Sequence, residues 1–204
     1  MKKQTANQIT EGVIWKQLLL FFFPILFGTF FQQLYNTADA VIVGNFVGKE
    51  ALAAVGGPAA TLINLLVGFF VGLSSGATVI ISQFYGAKNN ADVKKAVHTS
   101  IALSLAGGAI IMILGLIFSG AALQLMNTPD DIMKLSLTYM RIYFLGVIPS
   151  LIYNMGSGIL RAAGDAKRPL YFLIISCFIN IILDIFFVVV LKLGVAGVAI
   201  ATTL

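Results

Sequence analysis

The sequence contains few charged residues. Asp, Glu, Lys and Arg make up 10% of its 204 residues, whereas 59% are hydrophobic. Soluble domains carry about 25% charged residues, because their outer surface faces water. A chain with so little charge cannot cover a globule of its own size, so a soluble globular domain is excluded. Most of the surface must face lipid or other helices, in agreement with the mean hydropathy of +0.97.

Residues that build common enzyme sites are also scarce. Cys177 and His98 are the only cysteine and histidine, which excludes a disulfide framework and a metal site of several thiolates or imidazoles. His98 lies at the edge of the third apolar run with no companion for a Ser-His-Asp triad. Segment 44–49 resembles a phosphate-binding loop, but it has three residues between its glycines instead of four, and Glu50 follows its lysine. The sequence therefore predicts no enzyme and no ATP site, so any active transport must use an ion gradient.

Long apolar runs divide the chain into predicted membrane spans. A helix needs about 20 apolar residues to cross the hydrocarbon core, and the runs cover about 18–44, 51–87, 97–125, 131–160, 169–191 and 194–204. The second run is too long for one straight crossing, so we expect one helix bent near Pro58 or near the glycine-serine stretch 72–76. Thr128 is expected to cap the fourth helix. The last run is too short to cross, so we expect the sequence to end within its sixth helix.

The distribution of basic residues predicts the orientation of these spans. They lie in the short gaps between apolar runs, where membrane proteins keep cytoplasmic charge, and not on a stripe that would bind nucleic acid. One set of alternating loops holds Lys2, Lys3, Lys16, Lys88, Lys94, Lys95, Arg161, Lys167 and Arg168, and the other holds Lys49, Lys134, Arg141 and Lys192. This bias predicts a multi-pass protein of the cell membrane with a cytoplasmic N-terminus.

Two acidic residues lie inside predicted spans. Ionisable side chains are costly there and by default mark an ion or substrate path. Asp39 is in the first span and Asp184 is in the fifth, and each shares one helix face with other polar side chains. These faces consist of Gln32, Tyr35, Asn36 and Asp39 in the first span and of Ser176, Asn180 and Asp184 in the fifth.

The helical rise places several of these polar groups at one depth. Counted from the ends of their spans, four side chains lie roughly 8–12 Å below the outer surface, namely Asp39, Tyr139, Asp184 and Thr202. With the amide of Asn180 they could form one oxygen-rich cation site. The alternative is that the acids only form structural ion pairs, for which Arg141 is an available partner at similar depth.

Short motifs along the whole chain resemble one family of transporters. In order they are FPI at 23–25, ADAVIVG at 38–44, EALAAVG at 50–56, SQFYGA at 82–87, GILRAAGD at 158–165, NIILD at 180–184 and GVAG at 194–197. Each motif is weak by itself. Their order and coverage together are similar to the N-terminal half of a multidrug and toxic compound extrusion (MATE) transporter.

The resemblance implies an all-α integral membrane protein built from two six-helix bundles related as parallel repeats. This chain would be the N-terminal bundle, truncated within the sixth helix, and the C-terminal bundle would be its missing partner. The cation-binding group implied by the resemblance is Asp39, Tyr139, Asn180, Asp184 and Thr202. The substrate cavity is expected to include Gln32, Tyr35, Asn36, Asn154 and Ser176.

The function implied is antiport of small organic drugs or toxic compounds, coupled to H⁺ or Na⁺, with no other cofactor and no metal beyond a possible Na⁺. Pro24 and Pro149 are positions where the moving helices can bend. One alternative is a lipid-linked saccharide flippase, which should place several Arg or Lys in its cavity. Another is a scaffold subunit packed through glycines such as Gly68, Gly72 and Gly76, although a scaffold has no use for two embedded acids.

Overall fold

The computed structural model describes residues 13–204, so Lys2 and Lys3, on which the predicted orientation partly depends, lie outside the described residues. The described part is helical and contains no β-strand, so the predicted all-α fold is confirmed. Its helices are α1 (Ile14–Phe46), α2 (Lys49–Gly56), α3 (Pro58–Gly86), α4 (Asn90–Leu125), α5 (Asp130–Leu145), α6 (Val147–Ala162), α7 (Lys167–Asp184) and α8 (Val195–Thr203). A π-helical segment, Ile185–Val190, continues α7.

Up to five helical stretches are long and apolar enough to cross a membrane. Four of them are Trp15–Phe46, Lys49–Gly86, Asn90–Leu125 and Lys167–Val190. The fifth is the pair α5 and α6, which meet at an angle of 54°. Since every backbone group of a helix is satisfied internally except at its ends, this architecture suits a lipid environment.

The second crossing is interrupted beside Pro58. Helix α2 ends at Gly56, and Pro58 begins α3, where its missing N–H removes no helical hydrogen bond. A Cβ at Gly57 would overlap the carbonyl oxygen of Ala53, so the break needs a glycine at this position. The glycine-serine stretch 72–76 is continuous helix. Of the two expected positions, the one beside Pro58 is where the helix is interrupted.

The fourth crossing consists of two helices that meet at Gly146, whereas the sequence predicted a single run over 131–160. A Cβ at Gly146 would overlap the side chain of Thr203, so the glycine lets α8 pack into the bend. Pro149 lies in the first turn of α6, where backbone N–H groups have no intrahelical partner. The bend therefore belongs to Gly146 and its contact with α8.

The predicted cap of the fourth helix is wrong. The hydroxyl of Thr128 donates a hydrogen bond to the carbonyl of Leu123 at 2.7 Å, at the end of α4. Helix α5 begins at Asp130 with no side-chain cap. The short turn explains the difference, because it brings Thr128 back over the end of α4, where the carbonyl of Leu123 accepts hydrogen bonds from both the backbone N–H and the hydroxyl of Thr128.

Small residues set the packing of the bundle. Helix α1 packs mainly against α7, while α4 packs against α3, α5 and α6. At the crossing of α4 with α5, Gly115 faces the ring of Phe144, and at the crossing with α3, Gly107 faces Phe70. Glycines at such crossings allow close approach of helices in a membrane. The resulting bundle brings parts of α1, α7 and α8 together, and the two embedded acids lie there.

Candidate cation site

Two carboxyl groups meet inside the bundle. Asp39 of α1 is 6% exposed, and Asp184, the last residue of α7, is fully buried. The two carboxyl groups lie within hydrogen-bonding reach of each other once one of them carries a proton. Residues 145 positions apart in the chain therefore share one site, which no local pattern in the sequence specifies.

Thr202 joins this pair from α8. Its hydroxyl lies 3.4 Å from Oδ2 of Asp39 and 2.9 Å from the carbonyl oxygen of Val198. A hydroxyl has one proton to donate, and the shorter distance favours the carbonyl. The oxygen of Thr202 thus keeps lone pairs that can face a cation beside Asp39.

Five buried polar atoms at this site have no hydrogen-bond partner in the described part of the chain. They are Oδ1 of Asp39, both carboxyl oxygens of Asp184, and the oxygen and nitrogen of the Asn180 amide. A buried charge without a partner is costly, and buried polar groups are nearly always paired. The cluster therefore has the composition of a site that a proton or a small cation completes.

A structural ion pair does not explain the two acids. Arg141 is exposed, and the ion pairs found in residues 13–204 join Asp92 to Lys95 and Asp165 to Arg168. Within the same residues, no three His, Cys, Asp or Glu side chains gather as they would around a transition metal. The donors present are carboxylate, amide and hydroxyl oxygens, which suit hard cations.

Tyrosines form one wall next to the acids. Tyr139 of α5 is buried, and its ring centroid lies 6.4 Å from that of Tyr143. Tyr139 and Tyr35 are close enough to Asp39 to interact electrostatically with it. These two side chains therefore place phenol groups near the carboxyl groups.

The π-helical segment begins directly after Asp184. Its hydrogen bonds skip an extra residue, as in the bond from the N–H of Leu191 to the carbonyl of Phe186 at 3.0 Å. Single π-turns inside helices occur frequently at functional sites. This feature has no residue signature in the stretch IFFVVV, so the sequence could not have indicated it.

The predicted substrate-cavity residues fall into two groups. Gln32 and Asn154 line an open cleft between α1, α6 and α7. Tyr35 is half-buried beside the cation site, whereas Asn36 and Ser176 are exposed on the outer surface of the bundle. The structure thus brings two of the five residues into one cavity.

Four other polar residues line the same cleft and were missed by the sequence reasoning. They are Thr29, Tyr153, Ser157 and Arg161. The last three recur every four residues along α6, a spacing that places them on one helix face. Such a stripe inside a predicted span could have identified them, as it identified the faces around Asp39 and Asp184.

Comparisons with known proteins agree on one family. The MatE family matches residues 24–186. The probable multidrug resistance protein YoeA of Bacillus subtilis is 34% identical over 94% of this chain and 42% of its own length. The probable multidrug resistance protein YpnP of the same organism is 32% identical over 98% of this chain and 44% of its own length.

Solved structures agree as well. The outward-facing conformation of a multidrug resistance MATE family transporter of the MOP superfamily matches 100% of this chain and 45% of its own, with a TM-score of 0.91 and 30% identity. The chain thus spans less than half the length of the relatives it matches.

Proposed function

Because the chain belongs to the MatE family of membrane transporters, we propose that it forms the N-terminal bundle of a cation-coupled antiporter that exports organic compounds. Members of this family are transporters and not enzymes, and the family predicted from the motifs is confirmed. The complete transport path would include a second bundle, since the relatives are more than twice as long as this chain.

One observation carries the proposed coupling. Asp39 and Asp184 are buried side by side with three of their four carboxyl oxygens unpaired within residues 13–204. Two ionised carboxylates at this position would repel each other in a medium of low dielectric constant. A bound H⁺ or Na⁺ removes that repulsion, so occupancy of the site changes how firmly α1 and α7 hold together.

The same two helices connect the cation site to the cleft. Helix α1 carries Asp39 and also Gln32, about 10 Å apart along the helix at 1.5 Å per residue. Helix α7 carries Asp184 and also Leu173, which lines the cleft. A cation that changes the packing of α1 on α7 therefore also changes the shape of the bundle away from the cation site, and an antiporter requires such a linkage between ion binding and helix packing.

Pro24 supports a bend in α1 at the far end of the cleft. It lies inside the helix and has no N–H to donate to the carbonyl one turn earlier. Interior prolines are common sites of helix kinks. We propose that α1 bends there when the cation site loads or empties.

Charge supports the proposed orientation. In the described residues, one end of the bundle carries seven basic residues and the opposite end carries four. The first group, called here the basic end, consists of Lys16, Lys88, Lys94, Lys95, Arg161, Lys167 and Arg168. We propose that the basic end and the N-terminus face the cytoplasm in the cell membrane.

Transport driven by an imposed ion gradient tests this function. Proteoliposomes would contain the chain together with the second bundle of its transporter, and an organic cation dye would report uptake under an imposed pH or Na⁺ gradient. We expect Asp39→Asn and Asp184→Asn each to abolish gradient-driven uptake. Asp92→Asn is the matched control, because Asp92 is outside the site and pairs with Lys95. Coupled uptake that persists in both site variants would contradict the proposal.

A further inference from the structure

The cleft contains one charged side chain that the proposed coupling does not use. Arg161 lines the cleft in the last turn of α6. It is half-buried and takes part in neither of the two ion pairs found in residues 13–204. Arg168, seven residues further along the chain, is paired with Asp165 at 3.0 Å. A half-buried guanidinium without a carboxylate is well suited to an anionic ligand, because its planar fork matches phosphate oxygens.

Hydrogen bonds already occupy several other polar groups of the cleft. The hydroxyl of Tyr153 donates to the carbonyl of Pro169 at 3.2 Å, and the hydroxyl of Thr29 donates to the carbonyl of Ile25 at 3.2 Å. These bonds stabilise the walls and leave those hydroxyls without a free proton. Ligand donors must then come mainly from Arg161, with Gln32 and Ser157 beside it. The polar groups that line the cleft include a positive charge and no carboxylate. The cleft therefore favours anionic ligands over cationic ones.

The remaining walls of the cleft are apolar. Pro24, Leu170 and Leu173 line it together with Ile25, which is 39% exposed. Ile25 connects the cleft with the outer face of α1, where Phe22 and Leu26 are about half exposed. An acyl chain on this face would thus be continuous with a polar group inside the cleft.

The position of the cleft fits a lipid headgroup. Arg161 belongs to the basic end, which contains seven basic residues and only two acidic residues among those described, Asp92 and Asp165. Those acids are paired with Lys95 and Arg168, so the end keeps a positive field. Such clusters at the membrane surface attract anionic lipids, and basic pockets between helices bind their headgroups.

We propose that this cleft is a binding site for an anionic phospholipid, whose phosphate binds Arg161 and whose acyl chains lie along the apolar face of α1. The lipid holds α1 against α6 and α7 at the basic end, some distance from the cation site. It is a resident of the site and is distinct from the exported compound. The inference requires only that the chain lies in a membrane, so it stands independently of the proposed antiport.

Lipid binding to the purified full chain tests the proposal. Native mass spectrometry would titrate phosphatidylglycerol and, as the neutral comparison, phosphatidylcholine. We expect Arg161→Gln to weaken phosphatidylglycerol binding at least tenfold, since hydrogen bonds to charged groups are among the stronger ones, and Arg161→Lys to restore part of it. Lys94→Gln is the matched control, because it removes one positive charge from the same end outside the cleft. Its effect should stay below twofold.

A second variant keeps the charge and fills the space. Gly28 lines the cleft, and a Cβ there would make an ordinary contact with Leu173 at 3.7 Å. Gly28→Leu should therefore fold, with circular dichroism as the check, and should weaken lipid binding while Arg161 remains in place.

Three results would overturn the proposal. Arg161→Gln could bind within twofold of the unmodified chain, or Lys94→Gln could lose as much affinity as Arg161→Gln, which would indicate unspecific attraction. Glycerophosphoglycerol, the headgroup without acyl chains, could also bind as tightly as the intact lipid. That last result would identify the ligand as a soluble anion.

Discussion

Replacing Asp184 with asparagine should stabilise the cation-free protein while removing its response to cations. Asp184 is fully buried, and neither of its carboxyl oxygens has a hydrogen-bond partner in the described residues. A buried polar group left unpaired costs about 1–3 kcal/mol, and more when it is charged. Asparagine has nearly the same shape and removes the charge beside Asp39. The amide keeps the cost of an unpaired neutral group, so we expect Asp184→Asn to raise the free energy of unfolding by the excess cost of the charge, about 1 kcal/mol or more, in the absence of a coupling cation.

The cation dependence of stability gives the second part of this prediction. A ligand that binds only the folded state stabilises it by RT ln(1 + [L]/Kd), which is about 1.4 kcal/mol at ten times Kd. Unfolding of the purified chain in mixed micelles, followed by circular dichroism, would be measured during titration with Na⁺ at constant pH and with acid at constant Na⁺. The unmodified chain should gain stability with one of the two cations, and Asp184→Asn should lose most of that gain.

Asp92→Asn serves as the control for this experiment. Asp92 forms an exposed ion pair with Lys95, and such pairs contribute about 0–1 kcal/mol. This variant should keep the cation response of the unmodified chain. A destabilised Asp184→Asn that still responds fully to cations would refute the reasoning, because it would show that the carboxylate is already satisfied in the fold.

Three further predictions concern packing and the site. Gly115→Leu should destabilise the bundle by about 1–3 kcal/mol in a denaturation assay, because even its Cβ would overlap the ring of Phe144. Gly72→Leu is the control and should have little effect in the same assay, since a Cβ at Gly72 meets no atom within 4 Å. Thr202→Val should weaken cation binding by less than Asp184→Asn does in a direct titration, because the Thr202 hydroxyl lies closer to the carbonyl of Val198 than to the carboxylate. Gly146→Leu should loosen the packing of α8, because the new side chain would overlap Thr203. The backbone amides of α8 should then exchange faster with deuterium.

Much of the fold follows from the sequence because membrane helices have strong signals. A run of about 20 apolar residues identifies a crossing with little dependence on the rest of the chain. The interruption at Gly146 was not predicted, because its cause is a contact with Thr203, which lies in a different helix. Thr128 was assigned to the wrong helix for a related reason, since its hydroxyl can reach either end of a tight turn.

The candidate site, like the fold, could be predicted from the sequence only in part. Asp39 and Asp184 were identified because a carboxylate in an apolar run is conspicuous. Their mutual contact could be expected only from depth, as helical rise gives position along the membrane normal but not around the helix axis. That missing angle left the direction of the Ser176 side chain unpredicted, and in the structure it is exposed on the outer surface of this bundle. The polar stripe with Arg161 on α6 was available in the sequence and was missed.

The most direct test of the account is infrared difference spectroscopy of the purified chain between its cation-free and cation-loaded states. Carboxyl groups give separate C=O bands when protonated and when they bind a metal ion. We predict carboxyl bands that change on addition of H⁺ or Na⁺ and that disappear in both Asp39→Asn and Asp184→Asn, while Asp92→Asn leaves them intact. Carboxyl bands that are unchanged in the two site variants would show that the cation binds elsewhere, and would contradict the assignment of Asp39 and Asp184 as the coupling site.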